Sequence, residues 1–503
     1  MKQTKRIVSI VLVLALLCAV PIVSRAGEEA FSEANTTEYP AIFLGGGWHK
    51  LMYAEPGREG EVAFDAPEQE NVAGLLSALL DEVLPALQAL DPDKFLNSVK
   101  DILWDMLGPV RMDENGESVF AITDDGSSYQ DENIYSDTIW CHLDWRLDPM
   151  DNAEKLQEFI DYCKEKRRVD KFHLKGMSSS GTILMAYLEI YGTDDVASAV
   201  FDVSMHNGTT LFGELAKRQL HIDTEAFGKL NIPNIASTSL PDLQPALRIL
   251  YESGLLDFVL KLLFGVANLD LGRVHDEILI PLFFMMPIFW SYVPAKDFEA
   301  AKEALLQGNP KYAKLVEKID RYHNEVGSRT DEILLETAKK VKLGIHASYG
   351  LPLIPLVKGA AVQADFMVDT VYASSGATCA PLGSAFGPFY RQQKKDGHNH
   401  ISPDRVIDAS TCVLPDQTWF ASNKLHWLEG SYSGWYDWFI NTENPTVFSD
   451  KRYPQFVKEL EPTVFVPMEA EPGLLIKNVL RSIGLELLRI WRWLLLLPLF
   501  WMD

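Results

Sequence analysis

The strongest chemical signal lies between Phe172 and Thr182, which read Phe-His-Leu-Lys-Gly-Met-Ser-Ser-Ser-Gly-Thr. A strand-like run ends, Ser178 sits among small residues, and helix-favouring sequence follows. A turn that tight requires small flanking side chains. Gly176 meets that need two residues before Ser178. Ser180 stands where the second glycine of a G-x-S-x-G pattern would be, and Gly181 follows it. The chemistry would be nucleophilic attack by Ser178 Oγ, with the backbone N–H of Ser179 at the helix start facing an oxyanion. A bare serine is a weak nucleophile and needs a His base with a carboxylate behind it. The same residues also suit a plain helix N-cap. A second cluster, His398-x-His400 beside Asp396 and Asp404, offers another base or a cation site. It lacks helical ligand spacing and a further ligand, so no metal and no cofactor is assigned.

Several elements must position Ser178. Ala41 to Leu44 is a short apolar strand running into Gly45-Gly46-Gly47, whose backbone can turn sharply. Residues 70 to 108 show helical apolar spacing, and 112 to 134 are polar and loop-like. Thr138 to Leu143 reads as a strand, Asn152 to Lys166 as an amphipathic helix, Asp170 to Lys175 as a strand and Thr182 to Tyr191 as a helix. That rhythm is that of a parallel α/β sheet. From about 205 to 340 helical patterns dominate, at Leu240 to Leu271, Asp297 to Gln307 and Lys311 to Lys342. Strand-like segments return at Gly344 to Leu356 and Asp365 to Tyr372.

Upstream of the serine stands Trp140-Cys141-His142-Leu143-Asp144-Trp145-Arg146-Leu147-Asp148-Pro149. This order resembles the lecithin:cholesterol acyltransferase-like lipase branch of the α/β-hydrolases, where a strand ending in Tyr-Asp-Trp-Arg-Leu precedes the serine elbow. Leucine replaces the tyrosine here. Pro40 to Gly47 also resembles that family's oxyanion strand and loop, with a glycine triplet in place of Pro-Gly or His-Gly. The resemblance spans about 38 to 200 and 340 to 430. It implies an α/β-hydrolase fold and a first oxyanion donor at the N–H of Gly47 or Trp48, beside Ser179. Lys395-Asp396-Gly397 resembles the family's acid loop, and His426 follows thirty residues on. The implied triad is Ser178, Asp396 and His426. Asp404 and Asp408 compete for the acid role. Asp144 and Arg146 would shape the site as a buried ion pair.

The chain has 503 residues, 47% of them hydrophobic and 23% charged, with a net charge of −24. That is ample material for a large core. The acidic balance speaks against nucleic acid as a partner. Lys2, Lys5 and Arg6, an apolar run from Ile7 to Val23, and Ser24-Arg25-Ala26 have the layout of a secretory signal peptide. Cutting after Ala26 leaves 42 basic against 70 acidic residues, or −28. Of the remaining cysteines, Cys379 and Cys412 are the preferred disulfide pair, with free thiols for Cys141, Cys163, Cys379 and Cys412 as the alternative. Leu474 to Trp493 places Lys477, Arg481, Arg489 and Arg492 opposite Leu480, Ile483, Leu487 and Trp491, the pattern of a helix lying in a lipid interface or docked on the domain.

The expected organisation is a signal peptide at 1–26, a hydrolase core at 27–204 and 341–465, a helical cap at 205–340, and an amphipathic, membrane-associating tail at 466–503. The expected protein is a secreted serine hydrolase, peripheral to the membrane, that cleaves carboxylic esters of lipids through an acyl-serine. Lipid O-acyl transfer with the same residues, and an inactive hydrolase fold that binds lipid or a surface, are the alternatives. The apolar stretch from Phe283 to Trp290 would line an acyl pocket, meet a lipid surface, or form cap core.

Overall fold

The structure, a computed structural model, describes residues 38–45, 47–65, 92–221, 223–229, 271–395, 397–426, 434–461 and 464–470. The leader at 1–26, the expected helix at Leu240 to Leu271 except its last residue, Asp396 and the basic tail lie outside the described residues. Among the described residues, no helix is long and apolar enough to cross a membrane.

Among the described residues there are thirteen strands: β1 (Ala41–Leu44), β2 (Leu51–Tyr53), β3 (Val62–Phe64), β4 (Ile122–Asp124), β5 (Thr138–Cys141), β6 (Phe172–Met177), β7 (Val196–Asp202), β8 (Lys342–Tyr349), β9 (Thr378–Cys379), β10 (Ile407–Asp408), β11 (Thr418–Ser422), β12 (Phe456–Glu461) and β13 (Val464–Pro467). Eight form one sheet in the order β13-β12-β11-β8-β7-β6-β1-β5. Every pairing in it is parallel except β12 with β13. The protein is therefore α/β with a mostly parallel central sheet.

Both faces of this sheet are covered, as parallel sheets require. Along β1, Ile42 and Leu44 pack with the Pro149–Arg167 helix, while Ala41 and Phe43 pack with Trp435, Tyr436 and Phe439 of the Trp435–Asn441 helix. The period of two in a strand sends alternate side chains to opposite faces. The Pro149–Arg167 helix begins for local reasons. Asp148 accepts a hydrogen bond from Met150 N, at 2.6 Å, and Pro149 occupies the first turn. Lys164, Lys166 and Arg167 sit in its last turn, where the helix dipole favours cations. Arg168 ends it in the left-handed region at φ 57°.

The segment between β7 and β8 is mostly helical among its described residues, but it does not form one layer. Tyr322, Val326, Ile333 and Leu334 join the core beneath the Ser180–Ile190 helix. Phe283, Phe284 and Phe289 join the other large cluster, with Trp48, Phe64 and Trp145. The expected continuous helix from Lys311 to Lys342 is interrupted by a π-turn at His323–Gly327. The expected loop at 112–134 contains β4, which pairs with β2. A strand of three residues is too short to show periodicity in sequence.

Asp144 and Arg146 form the buried ion pair expected of them. Arg146 Nε and Nη2 donate to the two carboxylate oxygens at 2.9 and 2.6 Å, and Nη1 donates to Val110 O at 3.1 Å and Ser118 Oγ at 2.8 Å. Arg146 is 1% exposed. Arg146→Ala would leave a buried carboxylate uncompensated and is expected to lower stability by about 3–5 kcal/mol. The shift of the urea midpoint measures it.

Candidate active site

Strand β6 delivers Ser178, and the turn leaving it is strained. Ser178 has φ 52°, a left-handed conformation costly for a residue with a Cβ. Ser178 N donates to Asp202 O at 3.0 Å, and Ser178 O accepts from Met205 N at 3.0 Å and Gly181 N at 3.2 Å. The turn is therefore held from the neighbouring strand. Its small residues have separate reasons. A Cβ on Gly176 would lie 3.1 Å from the Gly181 backbone and from Leu184 Cβ. A Cβ on Gly181 would fall 1.6 Å from Ser204 Oγ. Ser180 is no mere substitute for glycine, because its hydroxyl donates to Gly45 O and ties the β1 loop to the elbow.

His426 comes from the loop after β11. Its Nε2 lies 2.7 Å from Ser178 Oγ, and its Nδ1 lies 2.7 Å from Asp365 Oδ2. A carboxylate oxygen at Nδ1 accepts, so Nδ1 carries the proton and Nε2 offers its lone pair to the Ser178 hydroxyl. Ser178, His426 and Asp365 are 7%, 5% and 1% exposed. Asp365 is held from behind, since its Oδ1 accepts from Met367 N at 2.9 Å and Val368 N at 2.7 Å. His426 N also donates to Asp365 O at 3.0 Å.

The carboxylate on His426 is thus Asp365. Asp396, assigned there by resemblance, lies outside the described residues. The two competing acids are engaged elsewhere. Asp404 accepts from Tyr349 Oη at 2.9 Å and Ser402 Oγ at 2.6 Å. Asp408 accepts from Tyr390 Oη at 2.7 Å and from Gln393 N and Ser410 N. Sequence reasoning missed Asp365 because it read Asp365 to Tyr372 as a strand. The segment is a turn closed by the Asp365 side chain, followed by the Thr370–Ala373 helix. A usable signal was present: an aspartate in the loop that follows β8, two strands beyond the serine strand, lying between Ser178 and His426 in the chain.

The β1 loop closes over the elbow. Gly47 has φ 88°, and a Cβ there would lie 2.8 Å from Ser179 Oγ and 3.5 Å from Trp145 Cβ. Trp48 follows at φ 63° and stacks on Trp145 with centroids 4.7 Å apart. Gly47 therefore packs against Ser179, the residue that follows Ser178, and Trp48 packs against Trp145. Phe289 packs edge-on to Trp48 at 6.5 Å. Burial pushes the Tyr292 phenol well above its ordinary range, against a hydrogen bond from Ser179. The Phe283 to Trp290 stretch is buried rather than turned to a surface.

Buried polar groups brace the loops that carry these residues. Lys175 and Asp202 form an ion pair at 2.9 Å directly beneath the elbow. Burial alone would raise the Asp202 carboxyl, but Lys175 and then His346 hold it well below the usual range. Asp369 Oδ2 accepts from Thr210 N at 2.8 Å, and the single hydroxyl hydrogen of Thr209 lies between Asp369 Oδ2, at 3.0 Å, and Met367 O, at 2.9 Å. The loop after β7 is thereby tied to the loop holding Asp365. His206 bridges Ser204 and Ser375, and burial pushes it down to about 3, so it stays neutral.

Cys141, Cys163, Cys379 and Cys412 are free thiols, so the expected Cys379 to Cys412 disulfide is not formed. Burial raises all four thiols, which disfavours the reactive thiolate. His398 and His400 adjoin Asp416 rather than Asp404, and the base on Ser178 is His426. No family model matches the chain, and no curated protein matches it.

Proposed function

We propose that the protein is a serine hydrolase of the α/β-hydrolase type that cleaves carboxylic esters through an acyl-serine. The observation that carries this reading is the continuous hydrogen-bonded run from Ser178 through His426 to Asp365, starting at a serine held in a left-handed turn. His426 Nε2 takes the hydroxyl proton as Ser178 Oγ bonds to the ester carbonyl carbon. The negative charge on the carbonyl oxygen is met by the N–H of Ser179 and that of Gly47 or Trp48. Collapse breaks the bond to the leaving alcohol, which receives the proton from His426. Water, deprotonated by His426, then releases the carboxylic acid and restores Ser178.

Lipid esters are the proposed substrates. The support is the aromatic wall of Trp48, Phe289 and Tyr292 beside Ser179, which suits an acyl chain better than a sugar or nucleotide. The helices between β7 and β8 would act as the cap. The leader and the basic tail motivate the proposal of an exported enzyme that works at a lipid surface.

The test is hydrolysis of p-nitrophenyl esters from short to long acyl chains, with and without lipid micelles. Wild-type activity that vanishes in Ser178→Ala is expected, with a preference for longer chains. Equal inertness of both proteins on every ester would remove the reading and leave lipid binding as the alternative.

A further inference from the structure

We propose that His398, His400 and Asp416 form a binding site for one divalent transition-metal ion of the zinc class. The site would lie at the opposite end of β11 from the loop carrying His426. One ligand atom from each residue lies within 4.8 Å of the other two. Asp416 Oδ1 is 3.4 Å from His400 Nε2 and 3.8 Å from His398 Nδ1. The longer separation exceeds a hydrogen bond, and at the shorter one Asp416 Oδ1 accepts none among the described residues. Both separations approach the edge of a zinc tetrahedron, about 3.4 Å for bonds of roughly 2.1 Å.

The arrangement around His400 points the same way. Gln455 Nε2 donates to Pro415 O at 2.8 Å and Thr418 O at 3.1 Å, so its Oε1 is the atom turned to His400. His400 Nδ1 therefore donates to Gln455 Oε1, at 2.9 Å. In the neutral ring, Nε2 then presents a lone pair toward the carboxylate oxygen of Asp416. That oxygen is buried and accepts no hydrogen bond among the described residues. Two electron-rich atoms turned toward each other, with a third from His398 beside them, suit a cation between them. A ligating histidine whose other nitrogen donates to a carbonyl is the usual outer support of a zinc site. Two nitrogens and one carboxylate oxygen select a borderline metal over calcium or magnesium.

His400 is fully buried, whereas the His398 and Asp416 side chains are 52% and 37% exposed. The fourth position would open to solvent and hold water. Asp416 stands two residues before β11, and that five-residue strand is roughly 17 Å long. The ion would not reach Ser178. Its role would be structural, fastening the 397–416 excursion to the strand that leads to His426.

The test uses the full chain, stripped with chelator and titrated with Zn²⁺, and separately with Co²⁺ followed by visible absorption. One equivalent is expected to bind, with a Co²⁺ spectrum of four-coordinate intensity. His398→Ala alters an exposed side chain and so keeps the fold, which circular dichroism checks. It should weaken binding at least tenfold, as should Gln455→Leu through loss of the outer support. Asp416→Asn should abolish the Co²⁺ spectrum. The proposal is overturned if wild type binds no Zn²⁺ after gel filtration. It is equally overturned if His398→Ala binds as tightly as wild type.

Discussion

Replacing Asp365 with asparagine is expected to lower kcat for ester hydrolysis by about four orders of magnitude while leaving the fold intact. The reason lies in the two faces of the carboxylate. Oδ1 accepts from Met367 N and Val368 N, so an asparagine would put its carbonyl oxygen there. Its NH2 group would then face His426 Nδ1 and donate to it. The imidazole proton would move to Nε2, which could no longer accept from Ser178. Asp396→Asn provides the contrast and is expected to leave kcat/KM unchanged. Steady-state kinetics on one ester decides between them, and the reverse pattern would return the acid role to Asp396.

His426→Ala should be at least as damaging, lowering kcat by roughly a million-fold, because the general base and the general acid are then both missing. The more telling measurement is the double variant. Groups that act as a unit are not additive, so Asp365→Asn is expected to cost little in a background already lacking His426. A full second loss in His426→Ala/Asp365→Asn would mean that Asp365 acts independently of His426.

The elbow was legible because its constraint is local. Gly176, Ser178 and Gly181 lie within six positions, although only Gly176 is kept small by contact across that turn, with Gly181 and Leu184, while Gly181 is kept small by Ser204 from the loop after β7. The parallel sheet was legible for the same kind of reason, through alternating strand and helix signals from Ala41 to Tyr191. His426 could be found through chain order and resemblance to a family.

Asp365 was not legible, because its role depends on contacts far apart in the chain. It meets His426 across 61 residues, and His426 meets Ser178 across 248. Val368 and Met367 look like strand residues until the Asp365 side chain captures their N–H groups and closes a turn. The Asp416 carboxylate was missed for a related reason. His398 and His400 were visible as a pair, but the fold brings them to the start of β11 rather than to Asp404. Ser180 looked like a departure from the elbow pattern, yet its hydroxyl fastens Gly45.

The most direct test of the proposed chemistry is covalent labelling with a fluorophosphonate, followed by peptide mapping. The reagent forms a bond only with a serine whose proton a base can take. One adduct is expected, on the peptide containing Ser178, and it should disappear in His426→Ala. No adduct in the presence or absence of lipid micelles, or an adduct on another serine, would contradict the assignment of Ser178 as the nucleophile.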